Sequence, residues 1–205
     1  MNSSLAFNML HMNKGVLLIL IFICAELVPQ QVYSQKGIAK FIPNRYEILD
    51  SASGNLNLDK YNDLILVLRM IGEDTIYNEA PKRPVLILTG NSKGGYTLVS
   101  RNDNAVYTHD IGMFDSFSEV QITAGSFSIH HMGGLSLTKI NNIHTFTYNM
   151  GMKKWMLYKH EQYFTSIQHF EDTDSLDVNE TADIKTEKDF GKITFEDFDL
   201  LKEYK

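Results

Sequence analysis

The stretch Gly54-Asn55-Leu56-Asn57-Leu58-Asp59-Lys60-Tyr61-Asn62-Asp63-Leu64-Ile65-Leu66-Val67-Leu68 decides how the chain is read. Its second half is an aliphatic run of strand length, the pattern of a strand covered on both faces. Working outward, Pro84-Val85-Leu86-Ile87-Leu88-Thr89 is a second run of the same kind. Gly90-Asn91-Ser92-Lys93-Gly94-Gly95 is turn chemistry, and Tyr96-Thr97-Leu98-Val99-Ser100 returns as a strand, which predicts a hairpin. Short strands are also predicted over 106–109, 119–123 and 126–132. A second hairpin is predicted over 143–148 and 153–158, about the turn Asn149-Met150-Gly151-Met152. Strands that recur with Gly or Asn between them predict a mainly β chain, α+β at most. The expected architecture is an antiparallel sheet or sandwich of several short strands with a short C-terminal docked segment. Helix signals are confined to short pieces near 44–49 and within the tail.

At 205 residues the chain holds about one domain. An apolar fraction of 43% and a charged fraction of 21% suit a globular chain and are too rich for wholesale disorder. The N-terminus carries Lys14 and then Gly15-Val16-Leu17-Leu18-Ile19-Leu20-Ile21-Phe22-Ile23-Cys24. A bilayer span needs about 20 apolar residues, so this run is short for an anchor and suits a secretory signal peptide over 1–34. Val32-Tyr33-Ser34 provides a small-residue site before Gln35; the alternative is an uncleaved membrane anchor. The expectation is a secreted or periplasmic protein with no membrane span after signal removal. Cys24 is the sole cysteine, so the mature chain has no disulfide, no thiol nucleophile and no Cys-ligated zinc.

Charge divides the remainder. Residues 171–205 hold 12 acids against 5 bases, while 35–170 holds 13 bases against 12 acids. The formal charge of −6 therefore belongs to the tail, and it argues against nucleic acid as a partner. The expected organisation is a β-rich globular domain over 35–170 and an acidic linker with a docked C-terminal segment over 171–205. Ile193, Phe195, Phe198, Leu200 and Leu201 are the apolar cluster that docks. No internal repeat is visible, which excludes solenoids and complete propellers.

The polar half of the opening stretch is the candidate site. Oxygen-bearing side chains fall at alternate positions, Asn55, Asn57, Asp59 and then Asp63, and Tyr61 offers its backbone carbonyl. Calcium takes six to eight hard oxygens at about 2.3–2.6 Å, which a tight loop with every second side chain turned inward can supply. Leu56 and Leu58 between the ligands are expected to face the domain. An EF-hand is excluded, because Lys60 stands at the turn-glycine position, Leu66 at the bidentate position, and the exit is a strand. The alternative is an Asx-rich turn whose amides and Asp59 satisfy backbone N–H groups. The spacing resembles the calcium loop of FG-GAP (integrin-like) repeats, D-x-[DN]-x-D-G-x-x-D followed by a strand. Asn55, Asn57, Asp59 and Asp63 match its ligand positions, and 63–68 matches the exit strand. With Val85-Leu86-Ile87-Leu88, Gly94-Gly95-Tyr96, Gly133-Gly134, Phe146-Thr147-Tyr148 and Trp155-Met156-Leu157, the chain looks like exported bacterial proteins bearing a single loop of this type. The likeness of the loop implies a bound Ca2+, the wider resemblance implies export and fold, and neither carries an activity.

Other residues invite a functional reading. His130 and His131 project to opposite faces of a strand and cannot chelate one metal. His131 is in phase with Phe127 and Ile129, as a hydrogen-bonded core or rim histidine would be. The chain has no HExxH spacing and no phosphate loop, and Gly90-Asn91-Ser92-Lys93-Gly94, which fits the letters G-x-S-x-G, reads as a hairpin turn between two strands rather than a nucleophile elbow before a helix. Asp110 and Asp115 read as turn acids, and Trp155 reads as core with Phe146. Two functions follow. One is an exported non-enzymatic module, stapled by a calcium loop and acting in binding or envelope upkeep. The other is an envelope hydrolase centred on His131, which requires a carboxylate or hydroxyl in hydrogen-bond reach of that ring.

Overall fold

The computed structural model describes residues 35–76, 80–109, 115–135, 137–170 and 175–202; the expected leader lies outside them. The chain divides into two compact units, Met1–Lys36 and Gly37–Lys205, and the second is described here. It opens with a helical turn, α1 (Gln35–Ile38), at the boundary, followed by a 3-10 turn over Ala39–Phe41. No helix among the described residues is long and apolar enough to cross a membrane.

Among the described residues, nine strands form two antiparallel sheets. The first is β1 (Tyr46–Gly54), β2 (Asp63–Met70), β3 (Val85–Gly90) and β4 (Tyr96–Asn102), in that order. The second is β5 (Phe117–Thr123), β6 (Ser126–Gly133), β7 (Thr138–Asn149), β8 (Lys154–Phe170) and β9 (Ser175–Thr186). The aliphatic run of β2 is buried on both faces, Leu64, Leu66 and Leu68 on one and Ile65 and Val67 on the other. Both expected hairpins form, β3–β4 pairing Gly90 with Tyr96 and β7–β8 pairing Asn149 with Lys154.

The core lies between the sheets. Ile65, Val67, Val85 and Ile87 of the first sheet meet Val120, Phe127, Ile129, Phe146, Trp155 and Leu157 of the second. Phe127 and Phe146 stack with ring centroids 5.0 Å apart, and Phe195 stands edge-on to both at 5.3 Å. Such pairs contribute about 0.5–1.5 kcal/mol beyond their buried area. On one side the sheets are tied by Asp50, displaced at a bulge in β1, whose Oδ2 accepts the Val120 N–H of β5 at 2.8 Å. On the other side the C-terminal segment acts as a clasp. Thr186 caps α2 (Glu187–Phe190), and Phe190, Ile193, Phe195 and Phe198 then enter the core. The Phe195 N–H donates to Trp155 O of β8 at 2.8 Å, and Leu200 N–H to Asn104 O at 3.0 Å. Asn102, at the end of β4, donates its amide to the carbonyls of Phe195 and Phe198. The docked segment was legible from its apolar residues, with the exception of Leu201, which is 76% exposed.

Three local expectations are corrected. Near 44–49 there is no helix: Arg45 has φ +69°, and β1 starts at Tyr46 because its backbone pairs with β2 from Met70 to Asp63. Residues 106–109 are not a strand, because the surrounding backbone groups are used elsewhere. Tyr107 O accepts from Arg83, and Asn104 is held by Asn102 and Leu200. Within the expected acidic linker, 171–174 lies outside the described residues, and Ser175–Thr186 is a strand paired along β8.

Candidate functional site

The loop over 55–63 runs from β1 into β2 and is fastened on three sides. Leu56 is fully buried in the core, and its carbonyl accepts the Trp155 indole N–H at 3.2 Å. Asn55 O accepts from Gly125 N–H at 2.9 Å. Asp63, with no exposed surface, closes the loop: Oδ2 accepts from Leu56 N–H at 2.8 Å and Asn57 N–H at 3.2 Å, and Oδ1 from Gly90 N–H at 3.0 Å. Gly90 is required there, since a Cβ would lie 2.2 Å from the Asn62 carbonyl oxygen. Leu58 departs from expectation: it is 51% exposed with φ +63°, because the loop reverses there and turns its side chain out over Gly125.

The five expected ligand residues occupy one loop, and most of their polar atoms are engaged within it. Asp59 Oδ1 accepts from Tyr61 N–H at 2.6 Å, Oδ2 from the Asn57 amide at 3.0 Å, and Asn57 Oδ1 from Asp59 N–H at 3.0 Å. The Asn55 amide N–H donates to the Asp59 carbonyl. Asn55 Oδ1, by contrast, is buried and has no partner. Burial pushes the Asp63 carboxyl above its usual range; three backbone N–H groups oppose this, and the neighbouring Asp59 charge adds to it. An orphaned oxygen beside two carboxylates, one of them a buried Asp63 whose ionisation burial disfavours, is an arrangement that a hard cation would relieve.

A second polar centre was not foreseen. Arg83, fully buried just before β3, reaches Glu73 of the 3-10 turn Glu73–Thr75 and Asp115 just before β5. Its Nη1 and Nη2 donate to the two Asp115 oxygens, each at 2.7 Å, and Nε donates to Glu73 at 3.0 Å. Burial opposes the guanidinium charge, but the bonds to Asp115 and Glu73 outweigh it and raise its affinity for the proton. Burial would likewise raise Asp115, yet Arg83 and the Phe117 N–H hold its carboxyl below the usual range. Asp115 is therefore half of a bidentate ion pair rather than a simple turn acid; Asp110 lies outside the described residues. Glu73, His109 and Asp115 are grouped closely enough to hold a metal. The guanidinium already bonded to both carboxylates would face such an ion as a like charge, so the group reads as an ion-pair node. Beside it is a cavity of about 720 Å³, lined by Tyr107, His109, Ser116, Met132, Leu135 and Thr138 among others. The volume is that of a small-ligand pocket.

Histidines form a third group. His131 of β6 is buried in phase with Phe127 and Ile129, as expected, while His130 on the other face bonds Ser128 at 2.8 Å. Both ring nitrogens of His131 are without a hydrogen-bond partner, so the expected hydrogen bond is missing. Its neighbours are the Tyr107 and Phe117 rings, with centroids at 5.0 and 6.1 Å. His144 of β7 stacks on His160 of β8, centroids 4.3 Å apart and planes within 10°. In sequence these histidines are 13 and 16 residues apart, and only the strand register aligns them.

No protein-family model matches this sequence, and no curated protein and no solved structure matches it either.

Proposed function

We infer that the chain is an exported, non-enzymatic binding module whose 55–63 loop is a calcium-taking staple. The observation that carries the reading is Asn55 Oδ1, buried without a partner next to Asp59 and to a fully buried Asp63. Asn55, Asn57, Asp59, the Tyr61 carbonyl and Asp63 would hold the ion, which supplies positive charge to two carboxylates and joins both ends of the loop. The cavity beside His109 and Met132 is where a small ligand with an apolar body would lie. A hydrolase centred on His131 is disfavoured, because neither ring nitrogen meets a carboxylate or hydroxyl among the described residues.

The test is thermal unfolding of wild type and Asp59→Ala, each in calcium and in chelator. With two carboxylates the affinity belongs with extracellular modules, at a Kd of about 10⁻⁴–10⁻³ M. Ten millimolar calcium then adds roughly 1–3 kcal/mol by mass action, a rise of a few degrees in the melting temperature. The expected result is that rise in wild type and its loss in the variant. Identical melts in all four samples would overturn the calcium reading.

A further inference from the structure

Three imidazoles, those of His131 and His144 buried and that of His160 half-buried, lie along the inner face of the second sheet, and the proposed function does not use them. His131, His144 and His160 come from adjacent strands, with ring centroids 6.2 Å apart for the first pair and 4.3 Å for the second. Unpartnered nitrogens occur on all three: both of His131, Nδ1 of His144 and Nε2 of His160. Above His144 sits the Phe198 ring of the C-terminal clasp, at 5.1 Å. A metal is not the occupant this arrangement favours, since stacked parallel rings direct their nitrogen lone pairs side by side rather than at a common point.

We propose that this histidine row is an acid-triggered release for the clasp: protonation places like charges between stacked rings beneath Phe198 and frees residues 191–202 from the sandwich.

The surrounding charges fit this role. Asp115 attracts a proton towards His131, while Arg83 and His130 repel it. Asp183 and Glu161 attract one towards His160, and Lys185 repels it. His144, between them, is acted on only by the other two histidines, both of which disfavour its charge. From the clasp, Glu196 is engaged by Ser100 and Lys154, Asp197 by Thr194, and Asp199 by the Leu201 N–H, and none of these carboxylates is among the charges that act on His144. Burial, the largest cause throughout, lowers all three histidines, His131 to about 4. Below the unfolded histidine value of about 6.5 an opened form binds more protons than the closed one. Closure is therefore fully favoured above that pH and is lost as the pH falls towards 4.

The test is hydrogen exchange by mass spectrometry on the full chain between pH 7.5 and 4, corrected for the intrinsic pH dependence of amide exchange. Peptides covering 191–202 are compared with peptides covering β2 and β3. Fluorescence of Trp155, the sole tryptophan, whose carbonyl holds the clasp, is followed in parallel. The expected result is loss of protection over 191–202 below about pH 6 with β2 and β3 still protected, and a matching change in fluorescence. His144→Phe moves that midpoint to lower pH by about half a unit or more, and His160→Gln does so to a smaller extent. Should His144→Phe fail to fold, His160→Gln alone decides. Loss of protection everywhere at one pH, or a midpoint that neither row substitution moves, overturns the proposal.

Discussion

Asp63 is the residue on which the 55–63 loop closes. It accepts N–H groups from Leu56 and Asn57 at the start of the loop and from Gly90 on the neighbouring strand. A buried donor left without an acceptor costs about 1–3 kcal/mol. Asp63→Ala orphans all three, so a loss of about 3 kcal/mol is expected, partly relieved where water enters the space. Asp63→Asn keeps one carbonyl oxygen and removes a carboxyl whose charge burial disfavours, so its loss is smaller. Urea unfolding of the three proteins measures the difference. An alanine variant as stable as wild type would mean that the closure lies elsewhere, in the Trp155 and Gly125 contacts. Of this site, the alternation of Asn55, Asn57 and Asp59 was legible in the sequence. The direction of each oxygen was not, because it depends on where Gly90 arrives from a strand more than twenty residues away.

Elements differ in how much of themselves they carry in their own residues. β2 and β3 are aliphatic on both faces and declare themselves wherever they are placed. β9 does not: Asp177, Glu180 and Asp183 are poor strand formers, and their density reads as a linker. It is a strand because β8 continues to Phe170 and supplies a ladder of backbone partners, a long-range gain that local propensity does not contain. The clasp is intermediate. Its phenylalanines announce burial, but Asn102, which receives it, is an ordinary polar residue in the sequence. Phe195 is the clasp's anchor, fully buried and edge-on to Phe127 and Phe146. Phe195→Ala should cost about 3–5 kcal/mol by opening a cavity between the sheets. If the clasp holds the sandwich shut, the variant also exposes Trp155, and its emission moves to longer wavelength at neutral pH. Unchanged emission with a loss below about 1 kcal/mol would show that the sheets close without this ring.

At the scale of the molecule, two sheets formed from successive halves of the chain must be held in one relation, and the Arg83 node joins them. Arg83 and Glu73 belong to connections of the first sheet, while Asp115 leads into β5 of the second and also accepts the Phe117 N–H that begins it. The three charges are 10 and 32 residues apart, at positions where nothing in the sequence distinguishes a buried ion from a surface one. Only the finished fold shows that Arg83 lies beneath it with no exposure. Removing one member of a buried charge cluster costs about 3–5 kcal/mol, chiefly through the partners left behind. Arg83→Met keeps the apolar stem and strands two carboxylates, so it should fall in that range. Adding Glu73→Gln and Asp115→Asn removes the stranded charges, and the triple variant should recover a substantial part of the loss. Because the pair with Glu73 is buried, the deficit of the single variant should persist at 1 M salt, where exposed pairs are screened over about 3 Å. Denaturant unfolding of wild type, single and triple variants at two salt concentrations measures this. A triple variant no more stable than Arg83→Met would mean that the guanidinium holds the sheets by its shape and its bond to Tyr107 O rather than by balancing charge.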